Sequence, residues 1–491
     1  MFSALDWVVL ILYMIGSLAL GLWVARGGKD FKDYMFGGGR VPWIAVGISI
    51  IATSVSTTTF LGAPAEVYGN DMSFLMLNFG ALIAIFVIGK VFIPRIKSAG
   101  IVSAYELLET RFNKPVRKVA AVLYCFHLFL RAGILLYGPS LVLSHILDVP
   151  SWVAIMLTAG VATIYTWHGG LKSVIWTDVL QFVVFFCGGI FVLWLVANSV
   201  GGFVPLFHMA SGAGKTHWLN FAMQPGNART FISAGIAYAV LEIAIRGCDQ
   251  QFVLRYLSCS GAKEANRSSI LSMVLGVAVS LLFYGVGAAL FVYFNVAGKG
   301  HLPAGTSIND VFPHFILNDL PPGVTGLVVA AIYAAAMGSL SGAINALANT
   351  TESDLLGNDR NAKGNLRRAK LFSLGWAVAG IAAAMLASIT EGSLLNKALF
   401  FTGLFTGPLL GMFLLAFFRP RCNPNAVLTG VFFGMVSLLF FNKIPFLPHF
   451  IPPFYGTFSW PWNPGIALTA TLIVALLLDL IMPRKHVNLT A

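Results

Sequence analysis

Residues Ile51 to Phe60 read IATSVSTTTF, and six of the ten carry hydroxyls: Thr53, Ser54, Ser56, Thr57, Thr58 and Thr59. They fall midway along an apolar stretch running from about Pro42 to Ala65. Hydrocarbon cannot hydrogen-bond to them. One or two such hydroxyls can bond back to their own helix. Six within seven positions cover every side of a helix, so a polar cavity is expected beside them. Arg131 poses a second demand, deep inside AAVLYCFHLFLRAGILLYGPSLVL. A mid-span arginine costs at least ~2.5–3.5 kcal/mol on insertion scales, so it must face a cavity or a partner. Its planar fork grips a carboxylate through two hydrogen bonds; the internal alternative is an ion pair with Glu242. A third cluster lies in LEIAIRGCDQQ, with Glu242, Arg246 and Asp249. Glu242 and Arg246, four apart, either pair along one helix face or recognise a zwitterionic or amino-bearing solute.

The elements that must hold these groups are membrane helices. The chain has 491 residues, 57% hydrophobic and 10% charged, with a mean hydropathy of +0.82. Soluble proteins carry about 25% charged residues. The apolar runs are long rather than alternating, which indicates α-helices and not an outer-membrane barrel. About thirteen spans of the required ~20 residues can be counted, near 4–25, 42–69, 72–94, 117–146, 150–168, 172–198, 229–253, 265–295, 322–350, 366–389, 394–418, 425–442 and 463–483. The first run lacks a basic leader and reads as a retained helix rather than a signal peptide.

The net charge of +12 is distributed as topology, not as a nucleic-acid surface. On one side of the alternating spans lie only Lys215, Arg229, Lys299, Lys397 and Lys443. The other side collects the remaining boundary Lys and Arg, Arg255 among them. That bias predicts a multi-pass protein of the cell (inner or plasma) membrane with its N-terminus outside and its C-terminus in the cytoplasm. The stretch SAYELLETRFNKPVR is expected as a short surface helix. The tail after Met482 is too short to fold alone, so no appended kinase or regulatory domain is expected. Five unpaired-looking cysteines, no metal-ligand spacing, no nucleophile elbow and no phosphate loop speak against an enzyme.

Two spans look interrupted, the second and the seventh, five apart. Paired broken helices in corresponding positions of two halves point to a transporter substrate site. The expected organisation is an extra helix and inner loop (1–41), a first repeat (42–198), an outer loop (199–228), a second repeat (229–418), and two final helices with a short tail (419–491). The breaks are expected at Ile51–Ser56 and at about Leu241–Cys248.

Four segments resemble the sodium:solute symporter family: DYMFGGGRVPW (Asp33 to Trp43), SAYELLETRF (Ser103 to Phe112), YTWHGGLKSVIWTDVLQ (Tyr165 to Gln181) and DQQFVLRYLSCSGAKEA (Asp249 to Ala265). The motif match is most like the bacterial sialic acid transporters, and TTFLGAPAEVY (Thr58 to Tyr68) also resembles the monocarboxylate and vitamin carriers. The resemblance implies an all-α, leucine-transporter-type five-plus-five inverted repeat. It also implies sodium-coupled symport of a small organic solute, bearing a carboxylate (sialic acid, a sugar acid or a monocarboxylate), by alternating access. A sugar, vitamin or amino-acid symporter, or a transporter-like sensor without turnover, is the alternative.

By the same resemblance, sodium would be held by the carbonyls of Ala52, Val55 and Ala335 and the hydroxyl of Ser339. Gly338 stands where the family usually has a second hydroxyl. A second ion site would use Asp178 and Ser341, although Gly338 and Gly342 replace serines there, which favours one coupled sodium. The other reading of Asp178 is a structural carboxylate at a helix start. Solute contacts would come from Ser54, Ser56 and Thr59 on the broken helix, Phe74 and Asn78 on the next span, and Arg131. Asn78 is one carbon shorter than the glutamine usual in the sialic acid carriers.

Overall fold

A computed structural model describes residues 2–26, 31–147, 149–357, 364–388, 394–442 and 453–482. Among the described residues there are helices and no strands. In chain order they are α1 (Ala4–Ala25), α2 (Phe31–Phe36), α3 (Trp43–Ser54), α4 (Thr57–Gly69), α5 (Leu77–Val87), α6 (Ile93–Ser98) and α7 (Glu106–Arg111). There follow α8 (Lys114–Leu147), α9 (Ser151–Ser199), α10 (Phe203–Gly212), α11 (Tyr238–Cys248), α12 (Gln250–Ser258) and α13 (Ala262–Phe291). The chain continues through α14 (Val311–Asn318), α15 (Val324–Thr350), α16 (Gly364–Ser388), α17 (Leu394–Phe418), α18 (Pro424–Ser437) and α19 (Asn463–Ile481). The Thr58 side chain, Lys443 and the tail after Met482 lie outside the described residues, as does the side chain of Lys397.

Nine described helices are long and apolar enough to cross a membrane, and the bent pair α3–α4 makes ten. The difference from the thirteen stretches read in the sequence has a plain origin. The 49-residue α9 is counted once, yet at 1.5 Å per residue it is about 73 Å long, enough to cross twice. It turns at Gly170, whose φ of 56° and ψ of −149° are not helical. Only glycine suits that site, because a Cβ there would stand 2.1 Å from the Tyr34 carbonyl oxygen. Two further apolar helices, Phe405–Phe418 and Pro424–Phe440, are shorter than the usual span.

The centre of the bundle is α15. Its apolar window is 94% buried, against 17% for α1. The sequence AAIYAAAMGSLSGAINALAN explains this: small side chains let α15 pack closely on α9, α8, α1 and α3. Asp6 of α1 fixes the entry to α15, accepting hydrogen bonds from the Gly323 and Gly326 amides at 2.7 Å each and supplying a negative charge where the helix dipole favours one.

The segment expected as a surface helix contains the short α7, with Thr110, Arg111 and Lys114 exposed and its apolar face turned inward. Ser103, Tyr105, Leu107 and Leu108 are all enclosed. Ser103 Oγ donates to Asp354 Oδ2 at 2.6 Å, and Arg117 Nε donates to Asp354 Oδ1 at 2.8 Å. The apolar face of this amphipathic stretch thus meets protein.

Candidate functional site

The first break falls inside the expected window. Between α3 and α4, Val55 (φ −81°, ψ 123°) and Ser56 (φ −121°, ψ 175°) are extended, and the two helices bend by 58°. The hydroxyls divide into groups. Thr53 Oγ1 and Ser54 Oγ donate back to the carbonyls of Ser49 and Ile50 at 2.9 and 3.0 Å, the local bonding open to any membrane serine. Ser56 and Thr59 form a capping box that starts α4. Thr57 Oγ1 is buried with no hydrogen-bond partner.

Helix α15 meets the break from the other side. Ser339 Oγ donates to the Val55 carbonyl at 3.1 Å and lies 3.4 Å from that of Thr53. Ala335 is buried one turn earlier on the same helix. At Gly338 the missing side chain leaves a point around which three oxygens converge: a Cβ there would lie 2.9 Å from Gln181 Oε1, 3.3 Å from Asp178 Oδ1 and 3.6 Å from the Ala52 carbonyl oxygen. The Asp178 and Gln181 oxygens are buried and unpartnered. Buried oxygens aimed at one point, beside the carbonyls of an interrupted helix, suit a hard cation.

Asp178 does not stand at a helix start. It lies within α9, eight residues past Gly170, and its other oxygen is engaged. Oδ2 accepts from Ser49 Oγ and from Arg255 Nη2, the latter at 2.9 Å, while Arg255 Nε donates to Ser49 Oγ at 2.7 Å. Arg255 is wholly buried. Contrary to the expectation from the basic bias, Arg255 is not a loop cation: the break at Asp249 lets the chain run on as α12, so Arg255 remains inside the bundle. Ser341 Oγ donates to the Gly338 carbonyl at 3.1 Å and makes no hydrogen bond to Asp178 among those described.

The second break sits just beyond the expected window. Helix α11 runs through Leu241 to Cys248, and the chain opens at Asp249 (φ −76°, ψ 125°). The Asp249 carboxylate caps α12 by accepting from the Gln251 amide at 2.8 Å. Tyr124 of α8 donates to the same oxygen at 2.7 Å, and Tyr105 donates to the Cys248 carbonyl at 3.2 Å. An aspartate in the DQQ motif was the available signal. Its side chain competes with helix continuation by bonding the backbone two residues on.

Arg131 approaches this break from α8. Its Nη1 is buried without a hydrogen-bond partner, and its charge acts on the Asp249 carboxylate. Glu242 is not its partner. Glu242 Oε2 accepts from Arg246 Nε at 2.6 Å and Oε1 accepts from Tyr238 at 2.7 Å, while Arg246 Nη1 donates to Ser272 at 3.0 Å. Glu242 and Arg246 are thus a closed structural pair. The contacts described for Phe74 and Asn78 are with neighbouring segments. Phe74 packs near Trp460 and Arg229, and Asn78 bonds the Leu75 carbonyl at 3.0 Å and accepts from Ser280 Oγ at 3.4 Å.

Two interrupted helices converging on buried oxygens and an unsatisfied guanidinium form the apparatus of a membrane carrier. The chain belongs to the sodium:solute symporter family, whose model matches residues 34–434. It is 30% identical over 448 residues to the sodium/sialic acid symporter SiaT of Proteus mirabilis (strain HI4320), covering 89% of each chain. It is 32% identical over 452 residues to the human (Homo sapiens) sodium-coupled monocarboxylate transporter 1, covering 89% of this chain and 73% of that one. A solved structure of a Na+-coupled sialic acid symporter in a substrate-bound outward-open state superposes with a TM-score of 0.86 at 27% identity, over 99% of both chains. The protein is therefore a multi-pass, leucine-transporter-type sodium-coupled symporter and not an enzyme.

Proposed function

We propose that the solute carried with sodium is a small organic carboxylate, held by Arg131 between the two breaks. The observation behind this is the buried, unpartnered Nη1 of Arg131. A guanidinium in a low-dielectric site is costly to leave unsatisfied, and a carboxylate fits its fork with two hydrogen bonds. Relatives that carry sialic acid and monocarboxylates support the same chemistry. An amino-bearing solute is disfavoured, because Glu242 is already satisfied by Arg246 and Tyr238.

Sodium binds at the α3–α4 break. The carbonyls of Ala52 and Val55 and the hydroxyl of Ser339 supply oxygens, with Ala335 one turn along. The Asp178 and Gln181 oxygens beside Gly338 occupy the direction from which the family's second hydroxyl would come. Asp178 also stays paired to Arg255, so its charge is already balanced and one coupled sodium is the favoured stoichiometry. The repeats 42–198 and 229–418 each open on a broken helix, and the N-terminus faces outside with the C-terminus in the cytoplasm, as the basic bias indicates.

The test is uptake into proteoliposomes of labelled monocarboxylates, sugar acids, sialic acid, neutral sugars and amino acids. Saturable uptake of a carboxylate, driven by an inward sodium gradient and abolished when potassium replaces sodium, is expected. Uptake confined to neutral sugars would remove the carboxylate reading, and binding without uptake would identify a sensor.

A further inference from the structure

A groove far from the breaks has an unusual composition. About 490 Å³ in volume, it is lined by Trp167 of α9 and by Leu366, Arg367, Lys370, Leu371 and Leu374 of α16. A small cleft lined by His168, Lys172 and Asp33 adjoins it through the shared residues Leu366 and Lys370. Its position along the bundle is fixed by two landmarks. One is the turn of α9 at Gly170, and the other is Leu366, where the apolar span of α16 begins. Both are places where an apolar span begins or turns, the level at which basic residues are expected to meet headgroups.

The groove is graded along that direction. Arg367, Lys370, Leu371 and Leu374 fall at i, i+3, i+4 and i+7, one face of α16, with the cations at the end where the span begins and the leucines deeper. Leu371, Leu374 and Trp167 are 64%, 43% and 39% exposed, so an apolar wall stands open beside the charges. Lys172, Arg367 and Lys370 have no ion pair among the described residues; Lys370 only lies 5.8 Å from the Tyr34 ring. The floor is rigid. The Tyr34 hydroxyl bridges the Thr166 carbonyl of α9 at 3.4 Å and Ser373 of α16 at 3.0 Å.

We propose that this groove binds an anionic phospholipid. The phosphate is held by Lys172, Arg367 and Lys370, and one acyl chain lies along Trp167, Leu371 and Leu374. Lys172, Arg367 and Lys370 outnumber the one carboxylate of the adjoining cleft, Asp33, and so ask for an anion, and the continuous apolar wall asks for a chain attached to it. A lipid meets both demands, whereas a free phosphate meets only the first. Basic pockets between membrane helices at a headgroup level are recognised anionic-lipid sites in general. The lipid would join the α9 turn to α16. The proposal rests on the chain's membrane setting and not on the identity of the solute.

The test is a titration of the delipidated full-length protein in detergent, followed by native mass spectrometry, with dioleoyl phosphatidylglycerol, dioleoyl phosphatidylcholine or inorganic phosphate. Phosphatidylglycerol should bind the tightest. Each charge removed should weaken it about fivefold, and Lys172→Gln/Arg367→Gln/Lys370→Gln about a hundredfold. A control of equal charge change among exposed residues elsewhere, Lys118→Gln/Lys263→Gln/Arg267→Gln, should leave it unchanged. Arg367 is exposed, so Arg367→Gln alone gives a readout should the triple variant fail to fold. Equal phosphatidylglycerol binding by Arg367→Gln and the parent protein would overturn the proposal. So would phosphatidylcholine binding as tightly, full competition by millimolar phosphate, or an equal loss in the control.

Discussion

Removing the Arg131 side chain separates a solute anchor from a structural cation. In the empty protein Nη1 has no hydrogen-bond partner, so Arg131→Ala breaks no internal bond at that atom. The Asp249 carboxylate, on which its charge acts, keeps its bonds from Tyr124 and the Gln251 amide. With a carboxylate bound, the same truncation leaves a buried anion unpaired, which costs about 2–5 kcal/mol, or roughly 30-fold to several-thousandfold in affinity. Arg131→Lys should also bind weakly, since an ammonium cannot reproduce the two-pronged contact. Arg246→Ala is the contrast. It strips Glu242 of a 2.6 Å partner, and breaking a buried pair costs about 3–5 kcal/mol of stability. The assay pairs sodium-driven carboxylate uptake in proteoliposomes with the melting temperature of the solute-free protein. Arg131→Ala should lose affinity and melt near the parent; Arg246→Ala should melt far lower. Carboxylate affinity within threefold of the parent in Arg131→Ala, or the two variants melting alike, would refute the reasoning.

Ser339→Ala should raise the sodium concentration for half-maximal uptake about tenfold or more, the scale of a lost polar contact to a charged group. Ser341→Ala should change it little, because Ser341 bonds the Gly338 carbonyl and the Tyr165 side chain rather than the α3–α4 break; equal effects would dismiss the assignment. Gly338→Ser should lower the half-maximal sodium concentration. Its new Cβ meets first the Gln181 amide oxygen at 2.9 Å, which must shift against the bond that Nε2 donates to the Tyr165 hydroxyl at 3.2 Å, and an unchanged sodium dependence in well-folded protein would count against the site. Arg255→Met should lower the melting temperature sharply by leaving Asp178 buried and unpaired, and Asp178→Asn added to it should restore most of the loss. Failure of the double variant to recover would show that Arg255 does not act through Asp178.

Some of this was written in local sequence and some was not. Spans, the family and the broken second helix were legible because each depends on neighbours in the chain. Hydropathy needs only a run of residues, and the cluster around Val55 announces a break by its composition. Arg131 was legible for a related reason: a charge in an apolar run is conspicuous whatever surrounds it. The second break lies just past the stretch expected from sequence, because the Asp249 cap, and not the charges of Glu242 and Arg246, ends α11.

What local sequence could not decide was partnership. Glu242 could pair with Arg131 or Arg246 by residue type, and only the tertiary fold, which sets Ser272 of α13 beside Arg246, chose the latter. Arg255 looked like a loop cation until α12 carried it to Asp178, 77 positions away in the chain. The oxygens of Asp178 and Gln181 came to Gly338 by the same route, through α9 lying against α15. Helix formation and membrane insertion respond to residues a few positions apart. A buried charge takes its role from whichever helix the fold sets beside it, and that is a property of the whole bundle.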